Sequence, residues 1–136
     1  MSIAGIGVGN VRESAQEVTR ERSATHLGSG TLGVYATPSM ALFVELVCRG
    51  MIDSKLPEGQ ASVGIRIDLR HLAPTPVGDT VRIRAEITAI EDNQVFFSAQ
   101  LWDSKEVIGE ALHQRAVIDV ERFLRRVRSK APEGDT

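Results

Sequence analysis

The sequence predicts an α+β domain in which an antiparallel sheet wraps around one long, buried helix. Segment 39–48 is apolar on every face, and a helix of that kind needs cover on more than one side. A series of segments with a period of two follows it, and the short turns between them favour antiparallel neighbours. The length of 136 residues fits a single domain that spans the whole chain.

Composition narrows the class of protein. The chain has 16 Lys and Arg against 18 Asp and Glu, a formal charge of −2, and 4% aromatic residues, which argue against nucleic acid as the main partner. No apolar run approaches the ~20 residues that span a bilayer. The start lacks the basic segment of a secretion signal. We therefore expect a cytoplasmic protein without membrane contact that acts on or binds a small molecule.

The first third of the chain shows weak patterns. Residues 1–12 are rich in glycine and have no period, so we predict a flexible arm. A strand is predicted around residues 13–19 from a weak alternation. Three glycines within residues 28–33 suit a loop that bends or opens.

The helix has clear boundaries in the sequence. Thr37 is a good N-cap residue, and Pro38 suits the first helical position because its missing N–H needs no partner there. The helix is predicted to end near Gly50 or Ile52, before a loop that contains proline and glycine. These boundaries enclose the apolar segment 39–48, which predicts that the helix is buried.

Alternation predicts the strands. An apolar row formed by Val63, Ile65, Ile67 and Leu69 is expected to face the helix. Two prolines in segment 72–79 prevent regular pairing there. Further strands are predicted over residues 81–89, 95–102 and 106–120.

The last strand and the C-terminus complete the prediction. Gly109 within the last strand indicates a bulge or a close backbone approach. Residues 121–136 are charged and predict a short helix, with a frayed tail over residues 129–136. A curved sheet with an exposed edge favours pairing with a second copy, so we expect a homodimer, and leave a tetramer open.

Glu45 is the most informative candidate residue. It lies within the apolar helix on the same stripe as Ala41 and Cys48. A carboxylate is rarely buried without a partner, because its desolvation is costly. Glu45 therefore either meets water, pairs with an arginine of the sheet, or lies in a cleft as a base or nucleophile.

His71 is the second candidate. By parity it continues the apolar row of its strand and should point towards the helix. It stands where the strand gives way to the proline-containing loop, and reactive groups are common at such strand ends. A satisfied histidine at the rim of the core is the alternative to a proton-transfer group.

Thr37 is the third candidate. An N-cap role alone explains its presence, but a helix N-terminus also suits a thioester or carboxylate oxygen. Its Cα lies ~12 Å from that of Glu45, eight residues further along one helix. The two residues act together only if a substrate bridges them or a second subunit supplies one of them.

The remaining histidines and the cysteine give weaker signals. His26 and His113 do not form a metal-ligand spacing with His71, so we expect no metal site. The single cysteine, Cys48, excludes an internal disulfide and a cysteine-rich zinc site. It lies within the apolar helix, which predicts an inert thiol.

Three segments together resemble a known family. They are Tyr35-Ala36-Thr37 with Glu45 eight residues on, Gly64 through His71-Leu72-Ala73-Pro74-Thr75-Pro76-Val77-Gly78, and Ile108-Gly109-Glu110 with His113-Gln114-Arg115-Ala116-Val117-Ile118. In order and spacing they are similar to the hotdog-fold thioesterases, and most closely to the fluoroacetyl-CoA thioesterase-like group. The resemblance covers residues 35–128.

The resemblance implies a function and a set of site residues. It implies the hotdog fold and hydrolysis of an acyl-CoA thioester at a dimer interface, with no cofactor because coenzyme A is part of the substrate. Thr37, Glu45 and His71 match the family's catalytic set. Gly64 matches a glycine whose backbone lies against the acyl group, and Arg115 matches an arginine near the site.

One departure from the family bears on the substrate. The fluoroacetyl-specific member has an aromatic-rich lid before the helix, whereas residues 28–33 contain no phenylalanine here. We therefore expect a more open entrance and a different acyl group. A non-catalytic acyl-CoA binding or sensing module is the alternative function. A dehydratase or hydratase on the same fold requires a His and Asp arrangement that the sequence does not contain.

Overall fold

The computed structural model describes residues 5–132, and within them one five-stranded antiparallel sheet packs against a long helix. The strands are β1 (Val11–Glu17), β2 (Gln60–His71), β3 (Thr80–Glu91), β4 (Gln94–Trp102) and β5 (Val107–Asp119), and the helices are α1 (Ala24–Leu27), α2 (Thr37–Ile52) and α3 (Val120–Ser129). The spatial order of the strands is β1-β3-β4-β5-β2. This architecture confirms the predicted α+β arrangement.

The core lies between α2 and the inner face of the sheet. The α2 side chains buried there are mainly Met40, Phe43, Val44, Val47, Cys48, Met51 and Ile52. Alternate residues of β3 and β4 meet them from the sheet, because successive side chains of a strand point to opposite faces. Strand β2 is an edge strand that pairs only with β5 among the described strands. The segment with two prolines then leads from β2 to β3, which is not its neighbour in the sheet.

The predicted N-cap of α2 is wrong by one residue. Ala36 occupies the cap position with extended backbone, and Thr37 is already helical. The Thr37 hydroxyl makes no capping hydrogen bond. The hydroxyl is therefore free to bond another group, which is His71.

The predicted burial of α2 is incomplete within a single chain. Leu42 and Leu46 are 55% and 49% exposed. They lie four residues apart, on one stripe of the helix. The exposed edge strand β2 adds Ile65 and Ile67, which are 47% and 37% exposed. These four side chains form one set, which we call the apolar edge.

A bulge in β2 overturns the single apolar row predicted for it. The register against β5 shifts between Gly64 and Arg66, and such an insertion changes which side chains face the core. Before the bulge Ser62 is buried, and after it Leu69 packs against the core. His71 keeps the parity of Leu69, so its predicted orientation towards the helix is confirmed.

The ends of the chain differ slightly from the predictions. Strand β1 begins at Val11, so residues 11 and 12 of the predicted arm are in the sheet. Gly109 shows both predicted features. The register of β5 shifts near it, and its Cα approaches Met40 so closely that an added Cβ would lie 2.6 Å from the sulfur. The predicted C-terminal helix is α3. Residues 1–4 and 133–136, part of the predicted arm and tail, lie outside the described residues.

Within residues 5–132, no helix is both long enough and apolar enough to cross a bilayer.

Candidate active site

A hydroxyl–imidazole pair lies where the start of α2 meets the end of β2. The Thr37 Oγ1 and His71 Nδ1 atoms are 2.7 Å apart and share a hydrogen bond. The ring of Tyr35, just before the helix, meets the imidazole edge-on at 6.4 Å between centroids. Thr37 therefore orients the histidine instead of capping the helix.

The other imidazole nitrogen of His71 has no partner. Its Nε2 atom is buried, and it is the only buried side-chain nitrogen or oxygen without a hydrogen bond in the described part of the chain. Such an atom is costly to leave unsatisfied and calls for an explanation. Burial lowers the pKa of His71 below its ordinary value of 6.5, although the Ala73 backbone opposes this shift. The imidazole is therefore neutral at pH 7 and able to accept a proton.

An open cleft of about 350 Å³ adjoins this pair. Its walls come from the start of α2, the loop before it and the loop after β2, and it is lined by Ala24, Ser29, Val34, Tyr35, Ala36, Thr37, His71, Leu72, Ala73 and Pro74. The glycine-rich segment 28–33 contributes Ser29 to the rim. A small acyl group fits the size and mainly apolar character of this space.

A carboxylate–guanidinium pair lies two turns further along α2. Glu45 Oε2 is 3.6 Å from Arg115 Nη1. The arginine side chain is only 5% exposed, whereas that of Glu45 is 44% exposed. Of the alternatives predicted for Glu45, the structure shows two together: the carboxylate pairs with a buried arginine of the sheet on one side and meets solvent on the other.

Gly64 places bare backbone against this pair. A Cβ added there would lie 2.8 Å from Glu45 Oε2, 3.3 Å from His113 Cε1 and 3.4 Å from Arg115 Nη1. The absence of a side chain is therefore what lets the carboxylate approach β2. The sequence matched Gly64 to a close backbone position only through the family resemblance.

Replacement of Gly64 by alanine should lower activity without unfolding the protein. The new methyl would displace the Glu45 carboxylate, which is the far end of a flexible side chain. We expect kcat to fall about tenfold or more, because small misplacements of reacting groups are costly. The melting temperature should change little. Thiol release and thermal unfolding of the variant test this; a normal kcat would contradict the assigned contact.

The two pairs do not meet within one chain. The Cα atoms of Thr37 and Glu45 are ~12 Å apart along the helix. Gly64 and His71 are seven residues apart on β2, which corresponds to ~23 Å of strand. A single thioester carbonyl cannot contact both pairs over such distances.

Three further polar residues belong to the site and were not predicted. Asp53, Ser62 and His113 connect to Arg115 through hydrogen bonds and charge. The alternation of Ala111, His113 and Arg115 on β5 was a usable signal, because it places both polar residues on the inner face. Metal-ligand spacing does not reveal this row, because a hydrogen bond and not a metal groups the two residues.

His26 and Cys48 lie outside the two pairs described above. His26 is exposed on α1. Cys48 is buried, and burial raises the pKa of its thiol to about 12, so it remains protonated as predicted. Across residues 5–132, no three side chains of His, Cys, Asp or Glu are grouped as a metal site requires.

Comparison with known proteins identifies relatives of this chain. The family model described as fluoroacetyl-CoA-specific thioesterase matches residues 18–121. A fluoroacetyl-CoA thioesterase from Streptantibioticus cattleyicolor is 36% identical over 101 residues, which cover 74% of this chain and 73% of that protein. The family-model match over residues 18–121 includes every candidate site residue named above.

Solved structures share the fold. The fluoroacetyl-CoA thioesterase FlK superposes with a TM-score of 0.88 at 30% identity, covering 94% of this chain and 99% of that one. A hot-dog-like protein from Thermanaerovibrio acidaminovorans gives 0.86 at 26% identity, with 92% and 93% coverage. A thioesterase superfamily member from Thermus thermophilus gives 0.84 at 26%, with 94% and 97%.

The sheet, the central helix and these matches define a hotdog-fold thioesterase. More narrowly, the chain belongs to the fluoroacetyl-CoA-specific thioesterase family. The fold class and the family resemblance predicted from the sequence are thereby confirmed.

Proposed function

We propose that this protein hydrolyses a small or medium acyl-CoA thioester at the interface of a homodimer. The observation that carries the proposal is the His71 imidazole, neutral and held by Thr37, with its buried Nε2 unpartnered beside an open cleft. A histidine fixed through one nitrogen and free at the other is suited to proton transfer. Membership of a thioesterase family supports the same chemistry.

The residues divide the reaction between them. In the direct route Glu45 removes a proton from water as the water oxygen attacks the thioester carbonyl; a C–O bond forms, the C–S bond breaks, and His71 relays that proton to the departing coenzyme A thiolate. In the covalent route Glu45 attacks the carbonyl and coenzyme A departs as the thiolate; water then cleaves the acyl–Glu45 bond, and neutral His71 accepts the proton of that water and passes it to the thiolate. Thr37 orients the imidazole, and the free N–H groups at the start of α2 suit the oxygen that gains negative charge.

A second copy of the chain completes the site in this proposal. The apolar edge is exposed in one chain and is suited to cover by a partner. Antiparallel pairing of two β2 strands around a two-fold axis near the middle of segment 64–71 brings Gly64 of one protomer beside the partner's His71. The carboxylate of one protomer then faces the imidazole of the other across a shared substrate. Pairing of dimers into tetramers stays an open prediction.

The acyl group is proposed to differ from fluoroacetyl. The relatives named above include fluoroacetyl-CoA thioesterases. In this chain segment 28–33 at the cleft rim has three glycines, and its one large apolar side chain, Leu32, is 68% exposed. An entrance of this kind excludes water and bulky groups poorly. The proposed reaction needs no cofactor, and a cytoplasmic location stays a prediction.

Release of free thiol from a panel of acyl-CoA thioesters tests the proposed function. The panel should vary acyl length and charge and include fluoroacetyl-CoA and acetyl-CoA. We expect turnover of at least one short or medium thioester, without strong preference for the fluorinated one. Saturable binding of acyl-CoA without thiol release would instead establish the binding or sensing module.

The rate should fall in acid because of His71. The neutral imidazole is the active form, and burial lowers its pKa. Activity is therefore present above that pKa and is lost as the pH falls through it, so the midpoint of the acid limb of kcat/KM should lie below 6.5. A pH profile of the wild type checks this, with His26→Ala as the exposed control. A midpoint above 6.5 would contradict the assignment.

A further inference from the structure

A buried chain of polar groups holds Arg115 in place. Its Nε donates to the Ser62 hydroxyl at 2.8 Å, and its Nη2 donates to the Ser62 carbonyl at 3.1 Å. The Ser62 hydroxyl in turn donates to the carboxylate of Asp53, which also accepts from the Ser62 backbone N–H at 3.1 Å. The end of α2 is thereby tied to the arginine through β2.

His113 is the remaining hydrogen-bond partner of this guanidinium. Arg115 Nη1 lies 3.2 Å from His113 Nε2, and the same Nη1 faces Glu45 Oε2 at 3.6 Å. A guanidinium has only donors. His113 Nε2 must therefore accept, which means that it carries no proton.

The other side of the imidazole assigns the tautomer. His113 Nδ1 lies 2.7 Å from the Arg66 carbonyl oxygen, which only accepts, so the proton is on Nδ1. That carbonyl belongs to the bulge that presents Gly64 to the site. The ring is buried and stacks on Phe97 at 6.0 Å. His113 thus joins the bulge to the arginine.

The electrostatic surroundings keep this imidazole neutral. Burial lowers the pKa of His113, and the cation of Arg115 on the same strand lowers it further. The Arg66 carbonyl on β2 and the carboxylate of Glu45 on α2 oppose these effects, and Phe97 on β4 carries no charge. A protonated ring would lose its hydrogen bond with Arg115.

We propose that His113 is a positioning residue for hydrolysis: it aims the Arg115 guanidinium at Glu45, and Arg115 in turn holds the carboxylate against Gly64. This inference rests on the proposed function, and it assigns to His113 no contact with the substrate. Without the acceptor at Nε2, the guanidinium is free to turn, and the carboxylate loses its fixed direction. Loss of this acceptor should therefore lower kcat and leave KM unchanged, because it changes the distance between the reacting groups but no contact with the substrate.

Two substitutions separate the two hydrogen bonds of His113. An asparagine amide reaches the place of Nδ1 and keeps the donor to Arg66, but it is too short to meet Arg115. A glutamine amide reaches the place of Nε2 and supplies an acceptor to Arg115. We expect His113→Asn to lower kcat about tenfold or more with KM little changed, and His113→Gln to restore most of it.

Nuclear magnetic resonance of 15N-labelled histidine tests the arrangement without turnover. We expect the Nδ1–H tautomer for His113 at neutral pH, because Nδ1 donates to the Arg66 carbonyl and Nε2 accepts from Arg115. An Nε2–H tautomer, or a wild-type kcat in folded His113→Asn, would overturn the proposal. So would equal kcat losses in the asparagine and glutamine variants at equal melting temperature. A wild type with this tautomer but no thiol release would refute the proposed function alone.

Discussion

Replacement of Glu45 by glutamine should lower the rate of thioester hydrolysis at least ~100-fold. The amide has nearly the same shape, but it neither accepts a proton nor attacks a carbonyl carbon. It also loses the charge that faces Arg115 Nη1 at 3.6 Å. The loss should appear in kcat, measured as thiol released from the best acyl-CoA of the panel.

Glu58 offers a matched control for this substitution. It is exposed in the loop before β2, so Glu58→Gln makes the same chemical change away from the site. We expect its kcat to equal that of the wild type. Equal rates for Glu45→Gln and the wild type would remove Glu45 from the mechanism.

Replacement of His71 by alanine should lower the rate to a similar extent, ~100-fold, because it removes the group that moves the proton. The protein should still fold and form the proposed dimer, since His71 is only half-buried and its Nε2 has no bond to lose. The measurement pairs thiol release with the molar mass in solution. His26→Ala controls for the loss of a histidine.

A different result for His71→Ala would point to a structural role. If the dimer dissociated and the rate fell only in proportion to the fraction of dimer lost, His71 would be a structural residue at the rim of the core. A ring that stacks edge-on to Tyr35 contributes some packing, so thermal unfolding should show a modest loss of stability. The rate per folded dimer is the quantity that separates the two roles.

Much of the fold follows from local patterns in the sequence. The proline at the start of α2, the apolar run within it, and the strict alternation of residues 81–89 each determine one element through backbone geometry and burial. Gly109 was predicted to mark a bulge or a close backbone approach, because a glycine weakens the interior of a strand. The structure confirms the close approach in its contact with Met40.

The local departures follow from three-dimensional contacts. The bulge between Gly64 and Arg66 reverses the faces of β2, and nothing in the alternation of apolar residues marks it. The Thr37 hydroxyl bonds His71 across 34 positions of sequence, whereas a cap is a local interaction. A helix apolar on every face predicted complete burial, but Leu42 shows that one chain does not supply it.

The sequence predicted which residues form the candidate site, but not how they are arranged in space. Sequence reasoning selected Thr37, Glu45 and His71 and estimated that the helix separates the first two. It did not find the polar chain from Asp53 to His113, because the link between Ser62 and Arg115 spans 53 positions of sequence. A buried arginine needs hydrogen-bond partners of this kind. The alternation of Ala111, His113 and Arg115 on β5 is the sequence pattern that indicates one of them, His113.

Mixing two inactive variants tests most directly whether the active site is shared between protomers. When subunits of Glu45→Gln and His71→Ala exchange in equal amounts, half of the dimers should be mixed, and one of their two sites combines an intact Glu45 with the partner's intact His71. We predict recovery of about a quarter of the wild-type activity. If exchange is demonstrated and the mixture stays as inactive as its components, the shared site is contradicted.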